Sequence, residues 1–249
     1  MFKKIVFFPL FIMLTFSNAY SSMTISGTRV VFPGSEKEKS VRTNNKGSQP
    51  ALVQVWVDDG SVTADVNNMK VPFIVTPPVY RVEPGKGQNI RMIYNGMALP
   101  QDRESVFWFN MLEVPPVQKS AEKSDRLELA FRTRIKIFYR PETLTSSSSA
   151  ELDKLQWELL PDNKGVKLTN PTPYYISLES VSVKAAGKNV ELESEMVPPF
   201  SSKNFTQKNK TPVNGITAAS FTLFNDYGAA VNGTLKVTPE RTLLLQSEK

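Results

Sequence analysis

The 249-residue chain contains no histidine and no cysteine. Without imidazole there is no Ser-His-Asp triad, no imidazole base and no imidazole metal ligand. Without thiols there is no thiolate nucleophile, no thiolate zinc site and no disulfide. An enzyme is left with carboxylate chemistry, Ser-Lys chemistry or a hard cation held by oxygens, so an ordinary enzyme is disfavoured. Glycine is sparse too, 12 against 18 prolines, a balance that leans toward strands and turns over long helices. No segment beyond the first 16 residues is apolar enough to cross a membrane. The formal charge is +6, two of it from Lys3 and Lys4. No run of basic residues interleaves with aromatics along the sequence, which disfavours a nucleic-acid partner.

What is present begins at the N-terminus. Met1-Phe2-Lys3-Lys4 is a short basic start, Ile5 to Phe16 is apolar apart from Pro9 and Thr15, and Ser17-Asn18-Ala19 supplies small residues. This is the pattern of a cleavable signal peptide over residues 1–20, too short to span a bilayer, which takes about 20 residues. The mature chain is therefore expected to be exported. An exported chain without disulfides relies on core size, about a hundred residues per domain. At 40% hydrophobic and 22% charged, the chain can build such cores.

Strand signals run through the remainder. Thr24–Phe32 stops at Pro33-Gly34, and Ala51–Val57 alternates before the turn Asp58-Asp59-Gly60. Asn89–Tyr94, Val106–Val114 and Thr133–Tyr139 also end at Pro, Asn or Gly. Gly165–Asn170, Tyr174–Val183, Ala219–Phe224 and Val231–Thr238 read similarly, while Ala150–Leu160 fits a helix or a strand. Regular strands with such punctuation predict an all-β protein of sandwiches. The serine-rich Pro141–Ala150 reads as a flexible linker, dividing the chain into domains 21–141 and 142–249. The tail Pro239–Lys249, with Leu243-Leu244-Leu245, reads as a strand extension or a disordered end.

The segment Arg126–Arg140 is unusual. Leu127, Leu129, Phe131, Thr133, Ile135, Ile137 and Tyr139 share one strand face, with Arg132, Arg134, Lys136 and Phe138 on the other. Fifteen extended residues span about 50 Å, against a usual strand of about 17–20 Å. Either the segment is two strands with a bend and every apolar residue is buried, or an apolar edge is offered to another chain. In the first case Arg132, Arg134 and Lys136 are solvated. In the second, one of them anchors an anionic group of the partner.

Arg134-Ile135-Lys136-Ile137-Phe138-Tyr139-Arg140-Pro141 resembles the signature of the periplasmic pilus chaperones, the PapD/FimC-like proteins of the chaperone–usher pathway. Gly27–Phe32, Thr76–Gly85, Leu99–Asn110, Asn170–Tyr175 and Asn225–Gly228 resemble further motifs in family order, covering nearly the whole mature chain. The resemblance implies two immunoglobulin-like β-sandwich domains set as an L, no catalysis and no cofactor. It implies a periplasmic chaperone that folds and caps pilus (fimbrial) subunits by lending a strand and delivers them to an outer-membrane usher. Leu127, Leu129 and Phe131 match the alternating donor residues. Arg29 and Lys136 match two cleft cations that bind the subunit's terminal carboxylate. Glu104, Arg140 and Asp226 match a charge network between the domains.

Phe131 stands where a smaller aliphatic residue is usual, which suggests a wider acceptor groove. The modest loop Gln118–Asp125 and the absence of cysteine resemble the short-loop type. Symmetric pairing of two exposed edges would let the free protein cap itself as a homo-oligomer. A pilus subunit or adhesin fits less well, because Ser21-Ser22-Met23-Thr24 leads straight into the first strand with no alternating extension. A carboxylate hydrolase would have to use Asp58-Asp59, which reads as a turn, or Glu191, Glu193 and Glu195, which read as a solvated face.

Overall fold

The computed structural model describes residues 22–61, 70–114, 129–209 and 211–246. The segment read as a signal peptide, Leu127 and the loop Gln118–Asp125 lie outside them. Two hydrophobic cores are separate in sequence and in space.

The first core lies between two sheets. Strands β1 (Met23–Ile25), β3 (Glu38–Asn45), β7 (Gly87–Tyr94) and β5 (Phe73–Thr76) form one, in that order. Strands β2 (Arg29–Pro33), β9 (Phe131–Arg140), β8 (Ser105–Val114), β4 (Ala51–Asp58) and β6 (Val79–Val82) form the other. Period-two alternation decides the faces: β4 turns Ala51, Val53, Val55 and Val57 inward, and β8 turns in Phe107, Phe109 and Met111. Phe32 is fully buried and packs on Phe73 at 5.0 Å between ring centroids. Each such buried side chain contributes about 1.5–3 kcal/mol.

The segment expected as one strand, Thr24–Phe32, is two. β1 pairs with β3 in one sheet and β2 pairs parallel to β9 in the other. Gly27 lies between them at φ +99°, a conformation costly for any side chain but open to glycine. The crossing sets where β2 starts, and that start defines the site below.

The second core is built by β10 (Gln156–Leu159), β11 (Gly165–Asn170), β12 (Leu178–Ala185), β13 (Lys188–Leu192), β14 (Ser201–Thr206), β15 (Ile216–Phe224), β16 (Ala230–Val237) and β17 (Thr242–Leu245). They are hydrogen-bonded in the order β13-β12-β15-β16-β17-β10-β11-β14. Two strands separate β10 from β15 in that order, yet Trp157 of β10 stacks on Phe221 of β15 at 5.3 Å. The ribbon therefore folds over on itself as a second sandwich. The Leu243–Leu245 tail is a strand within it, between β16 and β10.

The serine-rich segment is not a loose linker. Ser147 accepts a hydrogen bond from the Ala150 amide (3.3 Å) and caps a 3-10 helix over Ser148–Lys154, with Ser148 buried. The Ser146 amide donates to the Tyr174 hydroxyl at 2.9 Å. Short hydroxyl side chains favour helix caps as readily as flexible coil. The ambiguous stretch Ala150–Leu160 is thus the end of this helix followed by β10. No helix among the described residues is long and apolar enough to cross a membrane.

Candidate functional site at a strand edge and an interdomain cleft

β9 pairs with β8 along its length, from Phe131 opposite Glu113 to Tyr139 opposite Ser105. Its other edge is only half covered. β2 runs parallel to β9 from Arg29 opposite Lys136 to Pro33 opposite Arg140. Among the described residues, nothing pairs with Phe131–Ile135 on that side. This leaves a stretch of backbone open to another strand. Ile135, Ile137 and Tyr139 fill the first core, but Leu129 is 59% and Phe131 52% exposed. Of the two alternatives for this segment, the one that buries every apolar residue does not hold. Within Phe131–Tyr139 the pairing with β8 shows no register shift, and the core ends at Ile135.

Arg29 and Lys136 are register partners at the step where the free edge ends. The Arg29 guanidinium donates from Nη1 to the Phe224 carbonyl at 3.1 Å. It also lies 5.2 Å from the Phe224 ring centroid and 5.9 Å from that of Phe138. Its Nε is buried without a hydrogen-bond partner. Lys136 Nζ stands 5.6 Å from the Trp108 ring. Burial pushes the pKa of both cations down; Asp226 partly offsets this at Arg29, while Arg29 lowers Lys136 further. Neither cation makes an ion pair among the described residues. A cleft of about 410 Å³ opens beside Arg29, lined by Val31, Lys39, Asp226 and Tyr227 among others. A larger hollow of about 720 Å³, under Leu243 and Leu244 of the second sandwich, is remote from both cations.

Glu104, Arg140 and Asp226 meet at the domain junction. Arg140 donates from Nε to Glu104 at 2.8 Å and forks onto both Asp226 oxygens at 2.7 and 2.9 Å. Glu104 also accepts from the Tyr175 amide at 2.8 Å. Burial opposes the Arg140 charge, but hydrogen bonding to Asp226 and attraction from both carboxylates outweigh it and raise its pKa. Phe138, on the polar face of β9, is buried against Tyr175 of the second sandwich at 5.8 Å.

A further cluster escaped the sequence reading. Asp58, read as a turn residue, does cap Gly60 (2.8 Å), but it is buried and also accepts from Asn110 at 2.8 Å and Arg132 at 3.1 Å, and pairs with Arg134. Arg132 lies over Trp56 at 5.0 Å, and Arg134 over Trp108 at 4.2 Å. Basic and aromatic residues do interleave, then, but across three strands instead of along one. Outward positions of β4 and β8 carried the signal, since Trp56, Asp58, Trp108 and Asn110 all alternate with core residues. Among the described residues no acidic cluster could hold a metal.

Residues 22–145 match the family described as pili and flagellar-assembly chaperone, PapD N-terminal domain; residues 150–235 match pili assembly chaperone PapD, C-terminal domain. The probable fimbrial chaperone YadV of Escherichia coli K12 is 40% identical over 228 residues, 89% of this chain and 92% of that protein. The crystal structure of the CupB2 chaperone of Pseudomonas aeruginosa superposes with a TM-score of 0.72 at 39% identity, covering 85% of this chain and 98% of the other. The SafB chaperone of Salmonella enterica, solved in complex with the SafA pilin, superposes with a TM-score of 0.70 at 25% identity, covering 86% and 95%.

Proposed function

The chain belongs to the PapD family of pilus-assembly chaperones, and from that premise we propose that it captures a pilus subunit by lending the free edge of β9. The family is one of periplasmic chaperones in the chaperone–usher pathway, not of enzymes. On our reading residues 1–20 are the cleaved export signal, the domains span 21–141 and 142–249, and the loaded subunit passes to an outer-membrane usher. The free chain caps the same edge by pairing with a second copy.

One observation carries the proposal: β2 begins at Arg29, opposite Lys136, and among the described residues leaves the β9 edge before it unpaired. A subunit strand entering there is collinear with β2. An amino terminus at that step would meet two cations, whereas a carboxylate would neutralise them. The incoming strand thus runs parallel to β9 with its C-terminus toward Arg29. Each charge-assisted hydrogen bond to that carboxylate contributes about 1.5–3 kcal/mol. The larger gain is register, because a slip of one residue turns alternate side chains away from the groove. In register, Leu127, Leu129 and Phe131 enter a subunit sandwich that lacks a strand and supply its missing core residues. The arginine fork to Asp226 holds the second domain against this site. The pilin bound to the SafB relative supports a subunit as the partner.

The test is recovery of complexes from periplasm by affinity purification and mass spectrometry. Arg29→Ala and Lys136→Ala should each lose the subunit while remaining folded. Wild-type complex levels in either variant would overturn the anchor.

A further inference from the structure

We propose that the β15–β16 turn of the second domain is a positioning element for Arg29, so that the carboxylate anchor is complete only when the two domains touch. The proposal rests on the anchor reading above and extends it to Phe224 and Gly228, which touch Arg29 or its chain neighbour.

The turn is internally braced. The Asn225 side-chain oxygen accepts from the amides of Tyr227 (3.0 Å) and Ala229 (2.9 Å), and the Asn225 amide donates to the Ala229 carbonyl (2.9 Å). This small, stiff loop reaches the first domain at three points. The Phe224 carbonyl and ring take the Arg29 guanidinium. Asp226 takes the fork of Arg140. Gly228 rests on Thr28, the residue before Arg29, so closely that a Cβ would meet Thr28 Oγ1 at 2.3 Å. Gly228 also sits at φ +80°. The glycine therefore serves two needs, the turn's left-handed backbone and the approach of the turn to β2.

The consequence is chemical. A free arginine side chain samples many rotamers and spreads its charge over them. Here one Nη is spent on Phe224 and the guanidinium lies over the rings of Phe224 and Phe138, while Nε remains buried and unpartnered. The remaining donors are thus held in one orientation beside the cleft. Pushing the turn off Thr28 by even an ångström would remove the carbonyl and the ring together.

The experiment uses the full-length chain and, as probe, the synthetic C-terminal strand peptide of the subunit that co-purifies with it, as free acid and as C-terminal amide. The readout is the acid-to-amide affinity ratio, which a general loss of fold does not select. Phe224→Leu keeps the carbonyl and removes the ring, and should lower the ratio about two- to fivefold. Gly228→Ala should lower it roughly tenfold or more, and Thr28→Ala combined with Gly228→Ala should restore it in part, since the double variant relieves the clash with Thr28 but not the left-handed backbone. Arg29→Ala is the control. If Arg29→Ala abolishes the acid preference but Phe224→Leu and Gly228→Ala leave it intact, the positioning role is overturned and the anchor stands. If the wild type shows no acid preference, or Arg29→Ala keeps it, the anchor itself fails and this proposal with it. Should Gly228→Ala not fold, Phe224→Leu alone decides.

Discussion

Replacing Arg140 with alanine should be far more damaging than removing its more visible partner. The Arg140 side chain is 14% exposed, Asp226 23% and Glu104 2%. Removing Asp226 leaves Arg140 its bond to Glu104, and the deficit is that of one forked surface partner, about 1–2 kcal/mol. Removing Arg140 strands the Glu104 carboxylate in the interior with only the Tyr175 amide as donor. An uncompensated buried charge costs about 3–5 kcal/mol, roughly 10–20 °C in the midpoint of a domain this size. The deficit should also depend on pH. Burial already holds the folded-state pKa of Glu104 above its unfolded value, and in Arg140→Ala it climbs further because the opposing cation is gone. Such a group leaves stability intact below its unfolded pKa and drains it as pH rises toward the folded pKa. Thermal or urea unfolding at pH 4.5 and pH 8 therefore separates the cases: Arg140→Ala should recover at the lower pH, and Glu104→Gln combined with Arg140→Ala should recover at both. Equal deficits for Arg140→Ala and Asp226→Ala, or a pH-independent deficit, would refute the reasoning.

Lys136 should make capture alkali-sensitive: burial and then Arg29 hold its pKa below that of an ordinary lysine, so peptide affinity falls as pH rises through that lowered value, and Lys136→Arg removes the dependence. The same shift means the protonated lysine costs the free fold stability below its pKa, so Lys136→Met should melt no lower than wild type at pH 7 by calorimetry while failing to capture. Leu129→Glu changes an exposed position and should alter free-chain stability by less than about 0.5 kcal/mol. It should nonetheless abolish protection of subunits from proteolysis, because the charge would enter an apolar groove.

The sequence made most strands visible because their inward residues alternate: Ala51–Asp58, Ser105–Val114 and Gly165–Asn170 lie within a residue of expectation. It hid β3, whose Glu38–Asn45 is polar on both flanks and buries only Val41, Thr43 and Asn45. It also merged β1 and β2, since the change of sheet takes only the three residues Ser26, Gly27 and Thr28, too short a polar break to mark a strand end. Arg29, Lys136, Glu104, Arg140 and Asp226 could be picked from motifs. Their meeting could not be read, because it depends on strand register and on the docking of two sandwiches. The contacts of Phe224, Gly228 and Asp58 were silent for the same reason: each acts through a neighbour distant in sequence.

The tryptophans give the molecule an optical consequence. Of three in the chain, Trp157 is sealed in the second core, whereas Trp56 and Trp108 lie under Arg132, Arg134 and Lys136 on the outer face of the β9 sheet. The field across the Trp108 indole is set in part by the lysine that would receive the carboxylate. A carboxylate paired with that lysine would offset its charge and so shift the indole's excited-state dipole energy. On the proposed function, occupancy of the cleft would thereby be written into the emission of a native fluorophore, with Trp157, insulated in the other domain, as an internal reference.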